Sequence, residues 1–286
     1  MKASLQKRKI SLVAATLGRS DELRRLLDSL ASQSFTNFEI VLVDQNSDKR
    51  VEEVTRIFGS QLDIHHVRCK PGLSRARNVG LQIASGDILG FPDDDCWYPP
   101  NLVERVVNFF EANPSVDGVS GRCIDEFGKD ASRFDQNRGP IDRFNVWRRC
   151  VSAAMFVRRK VCDNVGSFDE GLGVGAGTPY WSGEETDYLL RALAHGYRIL
   201  YDPHISIFHQ QLVRSIDAAE CVRGRAYARG TGRVLRKHSF PIWFTAYLIT
   251  RSIGGTITSA VRMDFAKARF RLNVSIGRAS GWFVSE

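Results

Sequence analysis

Three consecutive aspartates, Asp93, Asp94 and Asp95, stand in the stretch FPDDDCWYPP, between an apolar run and a Trp/Pro turn. Like charges this close repel one another and are costly to desolvate. A hard divalent cation shared with phosphate oxygens relieves the repulsion. The preceding run, DILGF, has the length and the aliphatic and aromatic content of a buried strand. The triplet therefore falls at the carboxyl end of a strand, where open α/β sheets bind their ligands. An arbitrary Asp triplet would more often be a solvated acidic turn, and the apolar strand before this one argues against that. Arg75 and Arg77 lie in GLSRARN at the start of a predicted helix. A helix N-terminus and a guanidinium both favour an anion. Asn78 beside them can cap or bridge local backbone.

The elements around these residues alternate. Residues 10–16 (ISLVAAT) read as a buried strand. Ser20 follows as an expected N-cap, with Leu23, Leu26, Leu27 and Leu30 on one helical face. Strands are expected at 39–43 and near 64–67, and helices at about 49–58 and 73–84, the last feeding DILGF. Such βαβ alternation implies a parallel sheet. Right-handed crossovers then bring Thr16, Asp44 and Asp93–Asp95 to one edge. Further on, 101–112 reads as a helix and 117–122 as a strand, while 123–150 has little periodicity and no assignment. A strand is expected at 153–159, a mobile glycine-rich loop at 166–183, a helix at 184–195, and strands near 198–202 and 205–208. His195, before Gly196, reads as a helix C-terminal residue without a chemical role.

Composition bounds the rest. The chain has 286 residues, 43% hydrophobic and 25% charged, which is ordinary for a globular protein. Its formal net charge of +8 is uneven. From Gln211 onward there are 13 Lys and Arg against 4 Asp and Glu, and the first 210 residues are close to neutral. An anionic partner is thus indicated for the C-terminal segment alone. The six cysteines are scattered and form no CxxC pair, which excludes zinc and thioredoxin-like spacing. The apolar stretch at the N-terminus is too short for a secretory signal. The expected setting is cytoplasmic, with reduced thiols.

Five segments together resemble the family 2 glycosyltransferases of GT-A fold: ATLGRSDELRRLLDSL, EIVLVDQNSD, GLSRARNVGLQIASGDILGFPDDDCWYPP, GSFDEGLG and GEETDYLLRALAHGYRILYDPHISIFH. They cover roughly residues 9–209, in family order. The resemblance implies an α/β fold, a GT-A-like Rossmann-type sandwich with a mostly parallel central sheet, here followed by a C-terminal helical extension. The implied domains are a nucleotide-sugar-binding catalytic domain at 1–210 and a basic, apolar extension at 211–286. It implies that Asp44 faces the base or ribose, with Thr16 and Arg19 framing the pocket. One of Arg75 and Arg77 would face the nucleotide. The family pattern is usually DxD or DxDD, and its first aspartate falls on Pro92 here. Asp94 matches the usual metal ligand, Asp93 the ribose-facing residue, and Asp95 either a second ligand or scaffold. The implied cofactor is Mn2+ or Mg2+. His209 ends the terminal strand, where imidazole can bind the metal or the diphosphate.

GEETD matches the family's GEDTD, so Glu185 stands where inverting members carry their catalytic base. Glu184 is the competing candidate. A base needs a poised carboxylate within reach of the acceptor hydroxyl. Tyr180 and Trp181, in the loop before it, offer aromatic faces for packing or for an acceptor sugar. In the tail, 241–261 is apolar but contains Arg251 and a Gly-Gly pair, which favours an interfacial helix over a span. A helical subdomain packed on the core is the other reading. The expected partners are a nucleotide-diphosphate sugar, a saccharide or lipid-linked acceptor and an anionic membrane surface at the inner face. Nucleic acid is not expected, since the acidic triplet and near-neutral first 210 residues oppose it. A sugar-nucleotide-forming nucleotidyltransferase would need a Gly-rich loop with a lysine after the first strand, and ATLGRSDE has none.

Overall fold

The computed structural model describes residues 8–210 and 215–283. The basic start of the chain (1–7) and the first residue past the expected boundary at 210 lie outside the described residues. Two compact units divide the rest. The first comprises 8–71, 75–168 and 188–210; the second comprises 72–74, 169–187 and the C-terminal residues from 215 on.

The first unit is built on β1 (Ile10–Thr16), β2 (Phe38–Asp44), β3 (Ile64–Arg68) and β4 (Ile88–Gly90), parallel in the order β3-β2-β1-β4. β1 and β2 are buried along their whole length, which is why they read as near-continuous apolar runs. Three helices connect these strands: α1 (Asp21–Ala31), α2 (Arg50–Phe58) and α3 (Leu73–Ile83). α1 buries the predicted leucine stripe, each side chain contributing roughly 1.5–3 kcal/mol. Ser20 holds the N-cap position without a side-chain capping bond; its carbonyl accepts from Arg24 N at 2.9 Å. α3 lies so close to β1 that a Cβ on Gly80 would stand 2.2 Å from Val13 Cγ1.

The remaining elements are β5 (Cys96–Trp97), α4 (Leu102–Ala112), β6 (Gly118–Ile124), β7 (Gly139–Pro140), α5 (Val146–Arg149), β8 (Met155–Arg158), α6 (Arg159–Val165), α7 (Glu184–Ala194) and β9 (Ile199–His209). β8 enters antiparallel between β4 and β6. β6 and β9 pair in parallel, and β5 and β7 pair antiparallel to β9. The longer ladders are the parallel ones, so the sheet is mixed but mostly parallel. The two strands expected near 198–202 and 205–208 are one, with the register against β6 shifting between Ser120 and Arg122. Gly121 permits that shift: a Cβ there would lie 1.7 Å from Ile205 O. The unassigned stretch 123–150 holds β7 and α5 and is pinned by Arg122–Asp130 (3.0 Å) and Arg149–Asp135 (2.8 Å) ion pairs. Ion pairs 8 and 14 positions apart leave no helical or strand periodicity in the sequence.

The second unit contains α8 (Ala218–Lys237), α9 (Ile242–Val261) and α10 (Phe265–Phe283). Asp217 caps α8 by accepting from Glu220 N at 2.8 Å. α8 and α10 meet along glycines: a Cβ on Gly281 would lie 2.1 Å from Arg229 O, and one on Gly277 2.4 Å from Arg225 O. Arg278 of α10 donates to Leu248 O at 2.7 Å and Ser252 Oγ at 2.6 Å on α9. Phe244 and Leu248 of α9 are buried, while Trp243, Tyr247, Ile257 and Val261 are exposed. Among the described residues no helix is long and apolar enough to cross a membrane.

Candidate active site

Thr16 ends β1 opposite Asp44, which ends β2, and Asp93 bridges to Ala15 just beyond β4. The parallel strands thus bring the three predicted positions to one edge. β5 then pairs with β9 so that Cys96 faces His209, and this places His209 Nε2 3.6 Å from Asp95 Oδ1. The acidic triplet divides by partner. Asp93 Oδ1 accepts from Arg77 Nη2 at 3.1 Å. Asp94 is buried at 4% exposure and pairs with Arg19. Arg19 also reaches Asp95 Oδ2 at 2.8 Å.

These environments push the charges in different directions. Burial raises the Asp94 carboxyl above its ordinary value, against the opposing pull of Arg19. Burial would also raise Asp95, but the His209 and Arg19 contacts outweigh it and hold the group below the usual range. Asp95 in turn raises His209. Arg19 is thus a full member of the cluster. Its sequence signal was weak, because a helix-start arginine is commonly solvated.

Asp44 is fully buried and engaged: Oδ1 accepts from Asn46 N and Nδ2, each at 2.8 Å, and Oδ2 lies 3.1 Å from His66 Nε2. Asn46 lies within the EIVLVDQNSD segment but had no role assigned to it, and His66 carried no motif signal. Of the two arginines in GLSRARN, Arg77 is 2% exposed, with its guanidinium 5.5 Å from the Phe168 ring centroid. Arg75 is half-buried and donates to Pro71 O at 2.9 Å. Asn78 bridges backbone, donating to Phe168 O at 3.0 Å and accepting from Phe168 N at 2.7 Å. His195 closes α7 as expected, before Gly196 at φ +82°.

In the second unit, Glu184 and Glu185 open α7. Glu184 is buried, and its Oε2 would lie 3.2 Å from a Cβ on Gly173. Glu185 is half-buried and keeps some access to solvent. A base that must meet an acceptor hydroxyl needs that access. The glycine-rich loop is organised rather than free. Gly173 N donates to Tyr180 O at 2.9 Å and Thr178 Oγ1 to Gly171 O at 2.6 Å. Tyr180 is buried under the Arg233 guanidinium, and Trp181 is exposed.

For a divalent cation, Asp95, Cys96 and His209 bring one ligand atom each within 4.8 Å of one another. The Cys96 thiol is pushed well above its ordinary value by its hydrogen bond with Cys123 and by burial, and a soft sulfur donor is a poor match for Mg2+ or Mn2+, which favour oxygen. The Asp95 carboxylate and the His209 ring suit a hard or borderline cation, while Asp94, which shares Arg19 with Asp95, stands outside that group of converging ligand atoms. The residues present fit such an ion.

Comparison with known proteins bears on this geometry. Residues 11–166, more than half of the chain, match the family described as "Glycosyl transferase family 2". An uncharacterized glycosyltransferase of Haemophilus influenzae is 32% identical over 110 residues, covering 38% of this chain and 37% of that protein. Glycosyltransferase AglE of Haloferax volcanii is 27% identical over 188 residues, covering 62% of this chain and 61% of its own length. A glucosyl-dolichyl phosphate glucuronosyltransferase of the same organism is 23% identical, over 71% of this chain and 69% of its own. The chain therefore spans 37% and 61% of the length of the first two, less than two thirds of each. Among solved structures, a Pyrobaculum calidifontis mannosyltransferase in complex with GDP-Man and Mn2+ superposes with a TM-score of 0.63 at 14% identity, over 95% of this chain and 87% of that one. S. aureus TarS 1-349 in complex with UDP-GlcNAc gives 0.60 at 16%, over 95% and 91%. At these identities the likeness is one of fold.

Proposed function

Because this chain belongs to glycosyl transferase family 2, we propose that it transfers the sugar of a nucleoside-diphosphate sugar to an acceptor hydroxyl, with inversion at the anomeric carbon. The observation that carries the reading is the gathering of Asp94, Asp95, Arg19 and His209 at the carboxyl edge of a mostly parallel sheet. That edge is where a charged diphosphate is expected in such folds. Asp94, Asp95 and His209 would hold Mn2+ or Mg2+, which when bound neutralises charge on the departing diphosphate. Asp93, backed by Arg77, takes the ribose side. Thr16 and Asp44 bound the nucleotide pocket, with Asp44 kept in place by Asn46 and His66. Arg75 is the more accessible cation for the nucleotide, and Arg77 the buried one that orders the triplet. Glu185 removes the acceptor proton, and Glu184 supports it from beneath the loop.

The acceptor class is a saccharide, in particular a lipid-linked one. A relative's name describes transfer involving a dolichyl phosphate sugar. The tail adds a second support: α9 and the turn to α10 expose Trp243, Tyr247, Val261, Met263 and Phe265 beside Arg251, Arg262 and Lys267. Such a surface would gain from apolar burial and from attraction to anionic lipid, which supports a peripheral position at the inner face of a membrane. Sedimentation with anionic vesicles at low salt, and partial release at high salt, is the expected behaviour.

A thermal-shift screen of nucleotide sugars with and without Mn2+ tests the central reading. At least one donor should raise Tm, and more so with the metal, because a ligand of the folded state stabilises it by mass action. No shift with any UDP-, GDP- or dTDP-sugar, with or without metal, would remove the proposal. Glu185→Gln should abolish transfer, by roughly 100-fold or more, while donor affinity stays unchanged. Parallel loss of both would make Glu185 structural instead.

A further inference from the structure

Lys237 and His238 end α8, well beyond the segment that matches the family. Lys237 Nζ stands 2.6 Å from Asp169 Oδ2 and 2.8 Å from Asp187 Oδ1. His238 Nε2 lies 2.8 Å from that same Asp187 oxygen. Asp187 has no exposed surface, and it sits two residues past Glu185 in the first turn of α7. Asp169 stands near the start of the glycine-rich loop. One ammonium therefore ties together the two ends of the segment 169–187.

Between its ends the loop is laid along α8. Ser182 Oγ donates to Tyr227 O at 2.7 Å, and Trp181 N to Ala226 O at 3.3 Å. A Cβ on Gly230 would lie 2.2 Å from Ser182 O, so the helix presents bare backbone where the loop rests. A loop with four closely spaced glycines gives up much chain entropy on ordering, which makes its closure depend on strong ties. Removing the ammonium would take from a buried carboxylate one of its charged partners, the His238 ring being another.

We propose that Lys237, assisted by His238, is a positioning residue for the transfer reaction: it clasps both ends of the loop and so holds the first turn of α7, and Glu185 on it, in a single geometry. This inference rests on the reading of Glu185 as the base. A shift of about 1 Å in a reacting group can cost on the order of 100-fold in rate. The C-terminal helices are then part of the catalytic apparatus as well as a candidate membrane surface.

Hydrogen exchange on the full chain tests the clasp without any substrate. In Lys237→Met the amides of 169–187 should exchange about 10-fold faster or more, while β1, β2 and β4 keep their protection; Lys237→Arg should restore the loop. Release of nucleoside diphosphate from whichever of UDP-glucose, UDP-GlcNAc and GDP-mannose the wild type turns over gives the second readout. There Lys237→Met should lower kcat roughly 10- to 100-fold with donor KM changed less than about twofold, and Lys237→Arg should recover most of it. Unchanged loop exchange in Lys237→Met overturns the clasp. An opened loop with wild-type kcat overturns the positioning role, as does a uniform loss of protection in which KM rises as kcat falls. If Glu185→Gln keeps wild-type turnover, the base assignment fails by itself, and the exchange result still decides the clasp.

Discussion

Glu39 and Asp94 are both buried carboxylates of the same sheet unit, at 2% and 4% exposure, and they sit at opposite ends of its parallel strands. Glu39, near the start of β2, accepts from Ser11 Oγ at 2.6 Å, Ser85 N at 2.6 Å and Ser85 Oγ at 2.8 Å, and it pairs with Lys9. Burial by itself would raise its carboxyl, but these four contacts prevail and bring it to about 2. Asp94 relies chiefly on Arg19, a half-exposed side chain, and burial leaves it raised. Proximity of ligand atoms does not separate the two ends of the sheet, since Glu39, Asp63 and His65 lie within 4.8 Å of one another just as Asp95, Cys96 and His209 do. What separates them is the donor set. Fixed neutral donors and a lysine make a structural anchor. A half-exposed guanidinium as the main partner leaves a carboxylate whose charge can be handed to another cation.

The largest effect that would test this contrast is on turnover. Asp94→Asn should lower it by roughly 100-fold or more at limiting Mn2+, with Tm unchanged or slightly raised, because a costly buried charge is removed. Wild-type turnover in that variant would make the two carboxylates equivalent and the contrast empty. Glu39→Gln should do the reverse. Stability should fall by about 1–3 kcal/mol in urea titration, while nucleotide affinity is retained, since a buried carboxylate loses its ion pair with the half-exposed Lys9 and its charged hydrogen bonds. A reduced affinity at unchanged stability would reassign that end of the sheet.

Acid unfolding sharpens the comparison further. The folded-state carboxyl of Glu39 is depressed, from about 4.5 to about 2, so its stabilisation is complete above the unfolded value. That contribution, up to about 3 kcal/mol, disappears as pH falls from about 5 through 2. Asp94 has the opposite sign, its raised carboxyl costing stability in the charged form. The acid slope should therefore shrink in Glu39→Gln and not in Asp94→Asn. The smallest effect is that of Arg19→Gln. A half-exposed pair changes stability by about 1 kcal/mol or less. Yet Mn2+ alone should raise the Tm of this variant more than that of the wild type, because the triplet has lost its internal cation. An equal or smaller rise would mean that Arg19 does not share the site.

Local pattern carried much of this molecule. The buried runs of β1 and β2 and the leucine stripe of α1 follow from side-chain periodicity, which a strand or helix imposes on its own sequence. Parallel βαβ order follows from chain connectivity, and with it the arrival of Thr16, Asp44 and Asp93–Asp95 at one edge. The acidic triplet and GEETD were legible as motifs because their members are neighbours in the chain. Tertiary structure decided everything that depends on partners far apart in sequence. β8 enters antiparallel, and β9 runs through a shift that Gly121 accommodates. Arg19 meets Asp94 across 75 positions, and Lys237 meets Asp169 across 68. Packing sent Arg77 inward and left Arg75 half-buried, and buried Glu184 beneath Gly173 while leaving Glu185 reachable. A charge carries no periodicity that reveals its counter-charge; only the folded chain brings the two within the few ångströms over which that pairing acts.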